Sequence, residues 1–131
     1  MVSILLIAHT PLASALKLVV EHVLGPVESF TAIDIIPDQC AVDDAQSIST
    51  LIAAADLGEG VLILTDLPGA SPSNICISAA AYSRAQGVPC IVLSGVNPGM
   101  LLRAINYRQI ALDAVASQAM IGGNQSMMRV D

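Results

Sequence analysis

Aromatic and basic residues are both scarce in this sequence. It contains no tryptophan, two tyrosines and one phenylalanine, while 54% of its residues are hydrophobic, so the apolar content is almost entirely aliphatic. Only five lysines and arginines stand against eleven aspartates and glutamates. The net charge of −6 argues against nucleic-acid binding, which relies on cationic side chains, and leaves room for a basic protein partner.

Long apolar runs and paired cysteine motifs are also missing. No stretch of about 18 uncharged apolar residues occurs, so the sequence predicts no membrane-spanning helix. The N-terminal apolar run has neither the basic flank nor the cleavage site of a signal peptide, and we interpret it as a core strand. Cys40, Cys76 and Cys90 are widely spaced without a CxxC motif, which is typical of buried free thiols in a reducing cytoplasm.

Strands and helices alternate along the chain. Apolar runs predict strands over residues 2–8, 30–36, 61–65 and 90–93. Helical spacing predicts helices that begin at Pro11, at Asp43 or Asp44, at Ser71, at Asn97–Pro98 and at Leu112. Thr10, one of the two aspartates, Ser71 and Asn97 are the expected N-caps. The last helix is expected to fade at Gly122–Gly123, which leaves a loose tail.

This order predicts one α/β domain over residues 1–131, with an open, mainly parallel, doubly wound sheet and helices on both faces. Right-handed crossovers favour the strand order 2-1-3-4. In that order the winding reverses between the first and third strands, and a ligand binds beside their carboxyl ends. Those ends carry His9 and Asp66.

The residue types at these two ends suit phosphoryl transfer. A neutral imidazole is a nucleophile, and Asp66 can hold one ring N–H of His9 so that the other nitrogen faces an incoming phosphorus. Helix N-termini offer unpaired N–H groups and a positive dipole end to phosphate oxygens. The expected phosphate contacts are Thr10, at the start of one helix, and Gly69, Ala70, Ser71 and Ser73, at the start of another.

Other interpretations exist for several of these residues. Asp66 can brace its own loop, and Ser71 can cap its helix without losing contact with phosphate. We interpret His22 as structural and Asn97 as a helix cap. Neither a GxGxxG nor a GxxxxGK[ST] motif occurs, and the first strand does not end in the clustered acids of a receiver domain. No metal-binding pattern is evident, so we expect neither cofactor nor metal.

Three segments resemble a known family. They are Ile7-Ala8-His9, the run from Asp66 to Asn74 (DLPGASPSN) and the run from Ser94 to Asn97 (SGVN). Together they resemble the mannose-type enzyme IIA component of the bacterial phosphoenolpyruvate-dependent sugar phosphotransferase system, over roughly residues 2–120. The resemblance implies a cytoplasmic phosphotransferase in which His9 carries the phosphoryl group, usually on Nε2.

The resemblance also implies partners. The donor would be an HPr-like phosphohistidine protein, the acceptor an enzyme IIB-type protein on a separate chain, and contact with a membrane would come only through a permease complex. Two other roles stay open: a regulatory module controlled by phosphorylation of His9, and the phosphotransfer subunit of a dihydroxyacetone kinase. The aliphatic-rich composition further predicts a homodimer, because a small monomer hides so much apolar surface poorly.

Overall fold

In the described part of the chain, four strands alternate with four helices and a fifth helix follows, in the order that the sequence predicts. A computed structural model describes residues 1–36 and 41–131, with side chains at 41–43 left out. The elements are β1 (Ser3–His9), α1 (Leu12–Leu24), β2 (Phe30–Ile35), α2 (Ala41–Ala55), β3 (Val61–Thr65), α3 (Ser71–Ala85), β4 (Cys90–Leu93), α4 (Pro98–Tyr107) and α5 (Leu112–Gln125). Cys40 and the three residues that follow the predicted strand 30–36 lie outside the described residues.

The four strands form one parallel sheet in the order β2-β1-β3-β4. This confirms the predicted topology. The central strands β1 and β3 are hydrogen-bonded neighbours, with Ile7 opposite Thr65, and β2 lies on the other side of β1, with His9 opposite Ile35. The carboxyl ends of β1 and β3 therefore meet at one edge of the sheet, called here the carboxyl edge.

Helices cover both faces of the sheet. Alternate residues of β1 and β3, such as Ile4 and Leu62, pack in a core with α1, α4 and α5, and the residues between them pack in a second core with α2 and α3. Both central strands are consequently buried on both faces, which explains their unbroken apolar sequence. Among the described helices, none is both long and apolar enough to cross a membrane.

Helix α1 starts differently from the prediction. Pro11, not Thr10, occupies the N-cap position, and no side chain there forms a cap. The cap comes instead from Asp34 on β2, since the Ser14 backbone N–H donates to its Oδ1 at 3.1 Å and the Ser14 hydroxyl donates to its Oδ2. A partner from a neighbouring strand thus replaces the expected local cap, which local sequence cannot reveal.

Two other predicted caps are also wrong. Helix α2 starts at Ala41, so positions 43 and 44 lie within its first turn and not at its N-cap. Acidic residues are favourable at both places, because both are close to the positive end of the helix dipole. Helix α3 starts at Ser71, with extended Ala70 as an N-cap that supplies no side-chain hydrogen bond. The cap of α4 is confirmed: Asn97 accepts the Met100 backbone N–H at 3.0 Å.

Helix α5 continues through Gly122 and Gly123 to Gln125, where the sequence predicted a break. The glycines permit a close approach of α4 and α5. A Cβ atom at Gly122 would lie 2.4 Å from Cβ of Arg103, and one at Gly99 would lie 2.5 Å from Cβ of Ser126. Packing against a neighbouring helix, not chain termination, accounts for glycine at these positions.

Candidate functional site

His9 and Asp66 meet at the carboxyl edge, as the strand order predicts. His9 is the last residue of β1, and Asp66 directly follows β3. The His9 ring nitrogen Nδ1 lies 2.6 Å from Asp66 Oδ2, and the His9 backbone N–H donates to the same oxygen at 3.1 Å. One carboxylate oxygen therefore fixes both the backbone and the ring of the histidine.

The two side chains differ sharply in exposure. Asp66 is 8% exposed, whereas the His9 side chain is 39% exposed. Among the described residues, His9 Nε2 has no hydrogen-bond partner, while Nδ1 is occupied. The ring thus presents Nε2 as its available nitrogen at a surface-accessible position.

The carboxylate of Asp66 is held in its ionised form. Burial alone would raise the pKa of Asp66, but hydrogen bonds from the His9 ring, from the His9 backbone and from the Leu67 backbone together lower it below the ordinary value of 3.8. An ionised carboxylate only accepts hydrogen bonds, so Nδ1 must carry the proton that joins the two residues. In the neutral ring, Nε2 then has a free lone pair.

The β4–α4 connection holds the backbone of Asp66 and Thr65 by hydrogen bonds. The Gly95 backbone N–H donates to the Asp66 carbonyl at 2.6 Å, and the Val96 N–H donates to the Thr65 carbonyl at 3.0 Å. Gly95 has a φ of 79°, which favours glycine at this position. These contacts give a structural role to Gly95 and Val96 of the SGVN segment, in which the sequence predicted a role for Asn97 alone.

The start of α3 lies next to the pair along the chain. A turn through Gly69, whose φ is 81°, leads from Asp66 to Ala70 and Ser71. Ser71 is exposed and Ser73 is buried, and neither side chain hydrogen-bonds to His9 or Asp66 in the described part of the protein. Since no side chain caps α3, the N–H groups of its first turn are left for a ligand or solvent.

The start of α1, at the same edge, has fewer free N–H groups for an anion. The Thr10 backbone N–H donates to the Ile35 carbonyl at 3.1 Å, and the N–H of Ser14 in the first turn of α1 donates to Asp34. A carboxylate already occupies the positive end of α1. The sequence did not reveal the role of Asp34, because its only signal is one acid in an apolar strand, 20 residues from the Ser14 that it contacts.

The other histidine and the two described thiols lack the features of a reactive group. His22 is exposed in the last turn of α1. Burial raises the pKa of the Cys76 thiol to about 12, and it raises the pKa of Cys90, so both free thiols stay protonated. Among the side chains that the structure describes, no three from His, Cys, Asp or Glu are grouped to hold a metal ion.

Fold and site together define an α/β domain with a His–Asp pair at the point where the sheet's winding reverses. Residues 3–120 match the protein family described as the PTS system fructose IIA component, where PTS denotes the phosphotransferase system. The chain belongs to this family. Among individually curated proteins, none matches the sequence significantly.

Solved structures show the same fold. Component EIIA of the phosphotransferase system from Streptococcus agalactiae superimposes with a TM-score of 0.87 at 21% identity, over 98% of this chain and 97% of that one. The mannose/sorbose specific IIA subunit from Enterococcus faecalis gives 0.85 at 17% identity, over 99% and 95%. A sigma-54 interaction domain protein from Enterococcus faecalis gives 0.77 at 15% identity, over 95% and 92%.

The His9–Asp66 contact predicts the tautomer of the histidine. In the neutral ring, His9 should carry its proton on Nδ1 and leave Nε2 unprotonated, because ionised Asp66 accepts from Nδ1. Long-range ¹H–¹⁵N correlation spectra at a pH where the ring is neutral would measure this directly. The exposed His22 in the same spectrum is the internal control, and an Nε2-protonated His9 would contradict the contact.

Proposed function

We propose that the protein is a phosphocarrier that accepts a phosphoryl group on Nε2 of His9. The observation that carries the proposal is the 2.6 Å contact between His9 Nδ1 and the buried, ionised Asp66, which leaves Nε2 available on a ring that is 39% exposed. The proposed donor is an HPr-like phosphohistidine protein, and the proposed acceptor is an enzyme IIB-type protein in sugar uptake, in keeping with the family.

In the transfer step, one N–P bond replaces another. The Nε2 lone pair attacks phosphorus in line, and the donor's N–P bond breaks with its electron pair returning to the donor imidazole. No proton is consumed if the donor ring, like His9, keeps its proton on the other nitrogen. His9 becomes a phosphoimidazolium, whose positive charge Asp66 stabilises through Nδ1–H. Onward transfer reverses the same exchange with the acceptor.

The start of α3 is the proposed cradle for the phosphoryl oxygens. Ser71 has an exposed side chain, and the backbone amides of Gly69, Ser71 and Ser73 belong to the turn and uncapped helix start that follow Asp66. The Ala70 N–H lies in the same turn but donates to the Leu67 carbonyl at 3.3 Å, so it would have to exchange that partner for a phosphoryl oxygen. Pro72 contributes no N–H. Thr10, with its backbone N–H already used, would contribute only its exposed hydroxyl. Peptide N–H groups at a helix start stabilise an anion without a lysine or arginine.

A regulatory role is the second candidate. The structural neighbour from Enterococcus faecalis that is a sigma-54 interaction domain protein shares this fold. In such a role, phosphorylation of His9 would change a protein contact without feeding transport. The chemistry at His9 is the same in both cases, and only the fate of the phosphoryl group differs.

The first test is the site of phosphorylation. On incubation with enzyme I, HPr and phosphoenolpyruvate, the protein should acquire an acid-labile, alkali-stable label, as a phosphoramidate does. His9→Ala should abolish the label with the fold intact by circular dichroism, whereas His22→Gln should label normally because His22 lies exposed in the last turn of α1. Label that persists in His9→Ala would refute the proposal.

The second test separates catalysis from scaffolding at Asp66. Asp66→Asn keeps the shape of the side chain but removes the charge that fixes the tautomer and stabilises the imidazolium. A charged hydrogen bond of this kind contributes roughly 1.5–3 kcal/mol, so transfer from phospho-HPr should slow by about tenfold to a hundredfold. Rapid-quench rates measure this, beside the melting temperature, which should change little. Normal transfer with a large loss of stability would show that Asp66 only braces its loop.

We also propose that the protein is a homodimer. Leu12, Val19 and Val23 share one stripe of α1 and are 37%, 45% and 63% exposed. Light scattering at micromolar concentration should give twice the chain mass, and Val23→Glu should weaken the dimer. Met128→Glu, at an equally exposed position in the C-terminal tail, is the matched control. A monomeric mass for the unaltered protein would overturn the proposal.

A further inference from the structure

Helices α1 and α3, which follow the two central strands at the carboxyl edge, differ in charge at their N-termini. Helix α1 has a carboxylate built onto its start: Asp34 accepts the backbone N–H of Ser14 at 3.1 Å and also its hydroxyl. Helix α3 has no side-chain cap. Both helices follow strands that are direct neighbours in the sheet, so a dianion bound to His9 would lie near both starts.

The backbone of Asp34 is close to that of the reacting histidine. In the register of β1 and β2, Asp34 pairs with Ala8, the residue before His9, and His9 pairs with Ile35. Neighbouring strands lie about 4.8 Å apart, so the Asp34 backbone is one strand and one residue from that of His9. The Asp34 side chain lies on the α1 side of the sheet, because Asp34 pairs with Ala8 of the core that faces α1, whereas Ile35, the partner of His9, belongs to the core that faces α2 and α3. Its charge can therefore act on a phosphoryl group at His9 only through space.

We infer that Asp34 is a positioning residue that neutralises the start of α1 and thereby directs the phosphoryl group of phospho-His9 to the start of α3. The inference rests on the proposed function, because it requires a phosphoryl group on His9. The negative charge of Asp34 disfavours phosphate on the α1 side. It also limits how strongly the site holds the phosphoryl group, which keeps the group transferable.

Asp34→Asn is the decisive variant. The amide keeps an oxygen for the Ser14 N–H, so the helix start is retained while the charge is lost. An uncompensated helix N-terminus stabilises an anion by about 0.3–1 kcal/mol. The equilibrium constant for phosphoryl transfer from phospho-HPr should therefore shift about two- to fivefold towards phospho-His9. An equilibrium constant is the appropriate readout, since it does not depend on how well the two proteins dock.

Two controls separate charge from structure. Asp113→Asn makes the same chemical change in the first turn of α5. This helix starts at the opposite edge of the sheet, shortly after Arg108, whose carbonyl accepts the Val2 N–H at 2.8 Å just before β1. It should leave the equilibrium constant unchanged. Ser14→Ala removes the hydroxyl contact but keeps the carboxylate, so it should lower the melting temperature and not the equilibrium constant. The shift in Asp34→Asn should shrink in about 0.5 M salt because screening weakens exposed charges.

The outcomes are distinguishable. If the unaltered protein takes no label at His9, the proposed function fails and this inference fails with it. If His9 is labelled normally but Asp34→Asn matches Asp113→Asn in its equilibrium constant, the proposed function stands and the inference is overturned. A shift that Ser14→Ala shares in proportion to lost stability would show that Asp34 only supports the fold.

Discussion

One carboxylate oxygen, Oδ2 of Asp66, holds both the backbone and the ring of His9, and the arrangement of the site depends on it. The contact is possible because β1 and β3 are adjacent parallel strands whose carboxyl ends meet. It is rigid because Asp66 is buried and its carbonyl accepts the Gly95 N–H from the β4–α4 connection. The sheet order, the buried acid and the exposed ring are therefore parts of one constraint.

The distribution of charge around this pair is set by peptide groups more than by side chains. Of the five basic residues, Lys17 pairs with Glu21 two turns into α1, Arg84 lies in the last turn of α3 and Arg129 lies in the tail. Arg103 hydrogen-bonds to α5, and Arg108 to the Glu28 carbonyl. A phosphoryl group on His9 would thus find its counter-charge in helix amides or in a basic partner, which suits a chain of net charge −6.

The sequence predicted the strands and their order, because hydrophobic periodicity and the rules of sheet topology determine both. The strands at 61–65 and 90–93 were predicted to the residue, because both are continuous apolar runs, fully buried in the central strand β3 and partly buried in the edge strand β4. The meeting of His9 and Asp66 followed from the strand order alone. The helix starts were less predictable: Asp34 reaches α1 across 20 residues of chain, and no local pattern indicates such a contact.

Gly122 shows that a local sequence signal can also predict a helix end where there is none. Glycine in a helical sequence usually signals an end, yet here it lets α4 and α5 approach closely. The close approach anchors the α4–α5 hairpin, and α4 begins immediately after the connection that braces Asp66. A residue that sequence reasoning assigned to a fading tail therefore belongs to the packing that supports the site.

A carrier has a requirement that an ordinary phosphate-binding site does not have. An interaction that stabilises the phosphorylated ground state and the transition state equally does not change the rate of onward transfer. An interaction that stabilises the ground state more than the transition state slows onward transfer. Under the proposed function, Asp66 stabilises the positive charge that develops on the imidazole as the phosphoryl group arrives, and Asp34 places negative charge at the start of α1. The two acids then have opposing effects: Asp66 favours phosphorylation of His9, and Asp34 keeps the phosphorylated intermediate from becoming a trap.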